Sequence, residues 1–189
     1  EHITVFADEK KMLEAFLAEI KESDPDIITG WNIIDFDFKV LREQCRRHKI
    51  PFILGRSKEE AKLRIETQFF KDSSIDIVGR QVLDAMALLR NSFIKLDDYK
   101  LETAAREIVG KKKTIDFHEK DSAGKSVGKA EQIEQLYKKN QNVLVEYNMQ
   151  DALLVIDILE AKDLINLTIT RSMLTGMQID RVNASIASL

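Results

Sequence analysis

The chain has 189 residues, of which 44% are hydrophobic and 32% charged, and its 29 Lys and Arg against 32 Asp and Glu give a formal net charge of -3. That length suits one main domain with a sizeable core, and the composition, with no low-complexity tract and no apolar run long enough to span a bilayer, describes a soluble globular protein. The near balance of charge neither demands nor excludes nucleic acid, so any basic surface must be local.

The opening residues, Glu1-His2-Ile3-Thr4-Val5-Phe6, carry no initiator Met or targeting pattern and read as the interior of a longer protein. Ile3 to Phe6 is β-prone, and Asp8 is placed to cap a helix whose apolar face is Leu13, Phe16, Leu17 and Ile20. Ser23-Asp24-Pro25-Asp26 breaks that helix. Ile27 to Trp31 then reads as a short buried strand in which Gly30 brings a change of direction, and a second helix follows from about Phe36 to His48. Within it Cys45, the lone cysteine, cannot form an intramolecular disulfide and reads as a small buried hydrophobe, which fits a reducing cytoplasm.

After Pro51, two strand-like runs, Leu63 to Phe70 and Ile75 to Leu83, flank Lys71-Asp72-Ser73-Ser74 and predict a β-hairpin. Leu101, Ala104, Ala105 and Ile108 have helical spacing between Asp98 and Val109, with Gly110 where a C-terminal cap belongs. Residues 111 to 129, opening on Lys111-Lys112-Lys113, are the most loop-like stretch; those lysines with Lys120, Lys125 and Lys129 suit a phosphate backbone or a solvated loop equally well. Two helical segments follow, Glu131 to Lys139 and Val143 to Lys162, and the helical period breaks around Leu174 to Arg181. Strands alternating with helices predict an α/β domain with a mixed sheet.

Two constellations carry chemistry. The first, Gly30-Trp31-Asn32-Ile33-Ile34-Asp35-Phe36-Asp37, places an Asn and acidic residues where a strand ends and a helix begins, a common position for active sites. The plainer reading has Asp35 or Asp37 capping the helix and complementing its dipole. The second is Tyr147-Asn148-Met149-Gln150-Asp151, where i and i+4 put the Tyr hydroxyl and the Asp carboxylate on one helix face, beside a buried stripe of Leu144, Leu154 and Ile158. A structural role for that pair is the plainer reading. Asp84, after a strand, is expected to hydrogen-bond backbone rather than bind metal. His2, His48 and His118 have no ligand spacing and are expected at the surface or in packing.

Together, Asn-x-x-x-Phe-Asp after a buried strand and Tyr-x-x-x-Asp on a distant helix resemble the second and third exonuclease motifs of family B DNA polymerases. Asp24 to Asn32, Leu54-Gly55-Arg56, Gly79 to Asp84, Tyr99 to Glu102 and Gly176 to Arg181 also look like that family's segments in its order, so the resemblance covers nearly the whole chain. It is similar above all to the bacterial DNA polymerase II branch and to some archaeal members.

The resemblance implies a ribonuclease H-like exonuclease fold, incomplete because its N-terminal strands are missing, with an inserted β-hairpin. Residues 1–165 would be the 3′→5′ exonuclease domain and 166–189 the connection toward the polymerase palm. The implied reaction is hydrolysis of a mispaired nucleotide from a primer 3′ end using two Mg²⁺ or Mn²⁺ ions. By the same resemblance Asp37 and Asp151 are metal ligands, and Tyr147 orients the attacking water, its pKa near 10 making it a poor base. Asn32 and Phe36 contact the frayed single strand, Phe36 by sequence-tolerant packing or stacking. The implied partners are single-stranded primer DNA and the polymerase domains of the parent chain, with no membrane; the implied setting is the cytoplasm, at the nucleoid.

One departure matters more than the matches. The family's first motif, an Asp-x-Glu whose carboxylates share one face of a strand, does not occur before Asp37. Arg64-Ile65-Glu66-Thr67 resembles it only superficially, having Arg in the first position and falling after the second motif. Hydrolysis by this piece is therefore expected to be severely impaired. Two other readings stand beside this one: a degenerate nuclease fold serving as a DNA-binding or structural module, and an unrelated α/β interaction module.

Overall fold

The computed structural model describes residues 3–66, 73–111 and 129–182. The described residues fall into two compact units, one drawn from Glu1–Phe93 with Asn166–Leu189 and the other from Ile94–Ile165.

The first unit begins with helix α1 (Glu9–Ser23), capped by the Asp8 carboxylate, which accepts the Lys10 N–H at 2.8 Å. The chain leaves α1 through Asp24 in a left-handed conformation (φ 43°), and Pro25 prevents the helix from resuming. Strand β1 (Ile27–Gly30) follows, rich in β-branched residues, and helix α2 (Asp37–Arg47) packs Phe38 and Cys45 inward. Cys45 is fully buried, and burial pushes its thiol pKa up, in keeping with a small core hydrophobe. His48, just past α2, pairs at the surface with Glu9 at 2.8 Å.

Strands β2 (Lys62–Arg64) and β3 (Ser74–Asp76) form the expected antiparallel hairpin, Leu63 opposite Ile75, while residues 67 to 72, the end of the expected first run and the first half of the expected turn, lie outside the described residues. The second strand-like run is not continuous. It turns at Gly79 (φ 82°) and resumes as β4 (Gln81–Asp84), which leaves the hairpin and pairs parallel with β1, Ile27 to Gly30 opposite Gln81 to Asp84. The glycine permits a backbone conformation that any side chain would strain. Helix α3 (Ala85–Asn91) continues from β4.

The β-prone run Ile3 to Phe6 is not a strand here. No strand of the described residues pairs with it, and Ile3 and Val5 are exposed, so propensity alone does not fix it as sheet. The core of this unit is built from Ile33, Phe38, Cys45, Phe52, Leu54, Ile75, Ile77 and Val82.

In the second unit, α4 (Leu101–Ala104) continues into a π-helical turn (Ala105–Val109) and stops at Gly110, which is left-handed (φ 66°), as the sequence predicts. Helices α5 (Lys129–Lys139) and α6 (Gln141–Ala161) follow, the latter capped by Asn140 and buried along Tyr147, Leu154, Val155, Ile158 and Leu159. Lys111 pairs with Asp157 at 2.6 Å; Lys112, Lys113, His118, Lys120 and Lys125 lie outside the described residues. Helix α7 (Leu164–Thr175), of which the residues from Asn166 on belong to the first unit, ends at Gly176 (φ 68°), where the helical period breaks. No helix among the described residues is long and apolar enough to cross a membrane.

The segments carrying Asp24, Leu54-Gly55-Arg56 and Gly79-Arg80 meet in one clamp. The side chain of Arg80 is 1% exposed; it donates to the carbonyls of Leu54, at 2.9 Å, and of Pro25, and meets Asp24 Oδ1 at 2.9 Å. Arg56 donates to Asp24 Oδ1 at 2.8 Å, Asp26 Oδ1 at 2.7 Å and the Gly79 carbonyl at 2.8 Å. A Cβ on Gly55 would lie 2.4 Å from the Val78 carbonyl oxygen, so only glycine admits this approach. Removing the buried guanidinium leaves several carbonyls and Asp24 without their donor. Arg80→Met is expected to lower unfolding free energy by about 3 kcal/mol, measured by urea denaturation; a loss within about 0.5 kcal/mol, the level of an ordinary surface change, would contradict the clamp.

Candidate functional site

The parallel register sets Gly30, the last residue of β1, opposite Asp84, the last residue of β4. Both chains leave the sheet there, β1 into the connection to α2 and β4 directly into α3. Gly30 has no room for a side chain, because a Cβ would stand 2.9 to 3.2 Å from three atoms of the Ile33 side chain. Ile33 is itself buried, so it fills the space that Gly30 leaves. Asn32 is left-handed (φ 57°), a conformation Asn tolerates better than most residues. Its carbonyl accepts the Phe36 N–H at 3.1 Å, and the Ile33 carbonyl accepts the Phe38 N–H at 2.9 Å, winding the connection into α2.

The connection therefore presents Asn32, Phe36 and Asp37 from one short segment. Phe36 is 64% exposed, a large apolar ring facing solvent beside two polar side chains. The capping role read from sequence is not met: Phe36 is the N-cap residue of α2, and no side chain caps it. Asp37 does lie in the first turn, where its charge complements the dipole.

Asp84 is partly buried. Its Oδ1 accepts the N–H groups of Asn32 at 3.3 Å, Met86 at 3.0 Å and Ala87 at 3.2 Å, which bears out the backbone-bonding reading. Burial pushes its pKa above the usual carboxylate value even though the amides of Ala87, Ile34, Asn32 and Met86 pull it down. The Asp37 pKa is also raised, first by burial of its carboxyl and further by the negative charge of Asp84, against its own backbone amide. The charge of Asp84 thus bears on Asp37 at the mouth of the sheet. Asn32 and Asp84 also line an open cleft of ≈ 940 Å³ with Arg64 and Arg90, whereas Phe36 and Asp37 are not in its wall.

In the second unit, Tyr147 is buried and Asp151 half-buried, one turn apart on α6. Leu154 and Ile158 continue the buried stripe, as the spacing predicts. The structure brings Asn32, Phe36 and Asp37 together with Asp84 in one unit, and Tyr147 together with Asp151 in the other. Among the described residues, no three His, Cys, Asp or Glu side chains form a group able to hold a metal ion. The nearness of Asp84 to Asp37 was the feature hardest to foresee. Its only sequence signal is an Asp at the end of a strand pattern.

Comparison with known proteins identifies the chain's relatives. The DNA polymerase family B exonuclease domain matches residues 1–104, a span that includes Asn32, Phe36, Asp37 and Asp84. The chain belongs to the family B DNA polymerase exonuclease domains. DNA polymerase II of Escherichia coli (strain K12) is 28% identical over 184 residues, covering 96% of this chain and 22% of that protein. The DNA polymerase of Thermococcus gorgonarius is 29% identical over 153 residues, 80% of this chain and 18% of its own. That of Thermococcus kodakarensis (strain ATCC BAA-918 / JCM 12380 / KOD1) is 26% identical over 186 residues, 97% and 10%. The chain spans 22% or less of the length of each.

The raised Asp37 pKa fixes a sign. The folded protein holds this proton more tightly than the unfolded chain, so the stabilising contribution is complete below the unfolded value of about 3.9 and is lost as pH rises through the folded value. Asp37→Asn is therefore expected to unfold at higher urea than the unsubstituted chain at pH 7, with the gain shrinking as pH falls toward about 3.9. An Asn variant less stable than the parent chain at pH 7 would show that the Asp37 charge is stabilising.

Proposed function

We propose that the chain is a 3′→5′ proofreading exonuclease domain with a ribonuclease H-like fold, which removes mispaired nucleotides from a primer 3′ end. The observation that carries the reading is the strand-end connection of β1, where Asn32, an exposed Phe36 and an electrostatically burdened Asp37 share one segment, in a chain of this family. On this reading residues 1–165 form the exonuclease domain and 166–189 lead toward a polymerase palm.

Asp37 and Asp151 fit a divalent cation pair by donor chemistry: both are hard carboxylate oxygens, which suit Mg²⁺ or Mn²⁺. Two such cations, when bound, supply the acidity that activates a water and the positive charge that stabilises the leaving 3′ oxygen. The remaining work falls to the protein. On this reading Asp37, at the start of α2, and Asp151, on α6, would be the carboxylates with which this chain holds the cations. Tyr147, one turn before Asp151, would orient the attacking water through its hydroxyl, which both donates and accepts hydrogen bonds. Phe36 packs on the terminal base or sugar, a contact indifferent to base identity, and Asn32 hydrogen-bonds the strand beside it. Proofreading requires that indifference, because any of four bases can be the wrong one.

Two carboxylates make a sparse cage for two cations. The family's Asp-x-Glu is not found before Asp37, so this chain by itself is expected to trim poorly. The same observation favours a second reading, a degenerate nuclease fold kept to hold DNA or neighbouring domains. One assay separates them: Mg²⁺-dependent trimming of a mismatched primer by this chain and by the same chain extended with an Asp-x-Glu strand. Weak trimming by the first and robust trimming by the second is expected. In the extended chain, Asp37→Ala and Asp151→Ala should each lower kcat at least about a hundredfold, roughly 2.7 kcal/mol of barrier. No trimming by the extended chain would favour the degenerate fold, and full trimming by both Ala variants would remove these residues from the site.

A further inference from the structure

We propose that Asp84 is a positioning residue: its carboxylate holds the backbone of the connection that carries Asn32, Phe36 and Asp37, and it acts through that backbone rather than by touching a cation or DNA. The proposal rests on the exonuclease reading of that connection.

Three observations converge on it. The register places Asp84 opposite Gly30, so its side chain stands where the connection departs from β1. One oxygen, Oδ1, then serves two strand-to-helix junctions: it accepts the Asn32 N–H from the first, and those of Met86 and Ala87 at the start of α3 from the second. The Ile34 N–H is directed at the same carboxylate. The third observation is the conformation of Asn32, left-handed at φ 57°, which Asn adopts more readily than most residues and whose own N–H is the one that Asp84 accepts. α2 itself has no side-chain cap, and the carboxylate of Asp84 holds the connection beside the buried Ile33 and Phe38 side chains. Asp84 thus sets where Phe36 and Asp37 begin, two and three residues beyond Ile34. A misplacement of about 1 Å at a reacting centre lowers rate steeply without abolishing binding.

Substitution separates positioning from ligation. Asn retains an oxygen acceptor and the shape of Asp while removing its charge, and Ala removes the acceptor. Backbone hydrogen exchange, followed by nuclear magnetic resonance on this chain, reads the role without any metal or activity. Asp84→Ala is expected to speed exchange of the Asn32 and Ile34 amides by about tenfold or more beyond any change at Leu41 in α2, while Asp84→Asn stays within about threefold of the unsubstituted chain. In the complete polymerase chain that the exonuclease reading implies, Asp84→Ala should lower trimming kcat about tenfold or more with KM nearly unchanged, and Asp84→Asn should retain most of it.

Should Asp84→Ala not fold, Asp84→Ser serves instead. Its hydroxyl can still cap α3, but its oxygen is one bond shorter, and Asn32 exchange is expected to rise as for Ala. Unchanged exchange at Asn32 and Ile34 in both Ala and Ser variants would overturn the proposal. So would an Asn variant as damaged in kcat as the Ala variant, which is the signature of a charged ligand. If the unsubstituted polymerase trims no mismatched primer, the exonuclease reading fails, while the exchange comparison still decides whether Asp84 holds the connection.

Discussion

The parallel pairing of β1 with β4 is the constraint on which the first unit depends. Only four residues of each strand take part, too few to be stable as an isolated ribbon. The pair is held by what surrounds it: Thr29 Oγ1 donates to the Leu83 carbonyl at 2.6 Å, the Gln81 N–H bonds the Asp26 carbonyl at 2.9 Å, and Arg80 locks the chain just before both strands. With that register set, Gly30 and Asp84 are opposite one another, and the two junctions that follow share a carboxylate. The clamp at the entry of the strands thus determines the geometry at their exit.

That exit carries opposed demands. Ile33 and Phe38 are core residues, and they anchor a segment in which Ile34 packs against the core while Asp35 and Phe36 are exposed. Burial raises the pKa of both Asp37 and Asp84, and the charge of one disfavours the charge of the other. Arg80 illustrates the contrary case: its buried charge meets Asp24 and several carbonyls and has nothing left to offer a ligand.

The elements legible in the sequence are those whose signal is local. Asp8 caps α1 as read, Gly110 ends the third helical pattern, and Cys45 is interior because its neighbours repeat with helical period. Strand identity was less legible, because a strand is fixed by its partner. Ile3 to Phe6 has the composition of a strand and no partner among the described residues. The run Ile75 to Leu83 reads as one strand, but a left-handed Gly79 divides it between two sheets. At the site, the motifs identified Asn32, Phe36, Asp37, Tyr147 and Asp151 as candidates. The dependence of Asn32 on Asp84 was invisible, since the bond joins a backbone amide to a side chain 52 positions away and leaves no periodic trace. Likewise the function of Gly55 is to let a carbonyl approach, which only coordinates reveal.

The proposed function assigns both Asp37 and Asp151 to cation binding. Paramagnetic relaxation by Mn²⁺ tests it directly, in a chain carrying the Asp-x-Glu strand, through the line widths of backbone amides at sub-stoichiometric metal. The account predicts that amides around Asp37 and around Asp151 broaden together and that both effects vanish on addition of a chelator. Broadening confined to one of the two segments, or spread evenly over surface carboxylates, would contradict it.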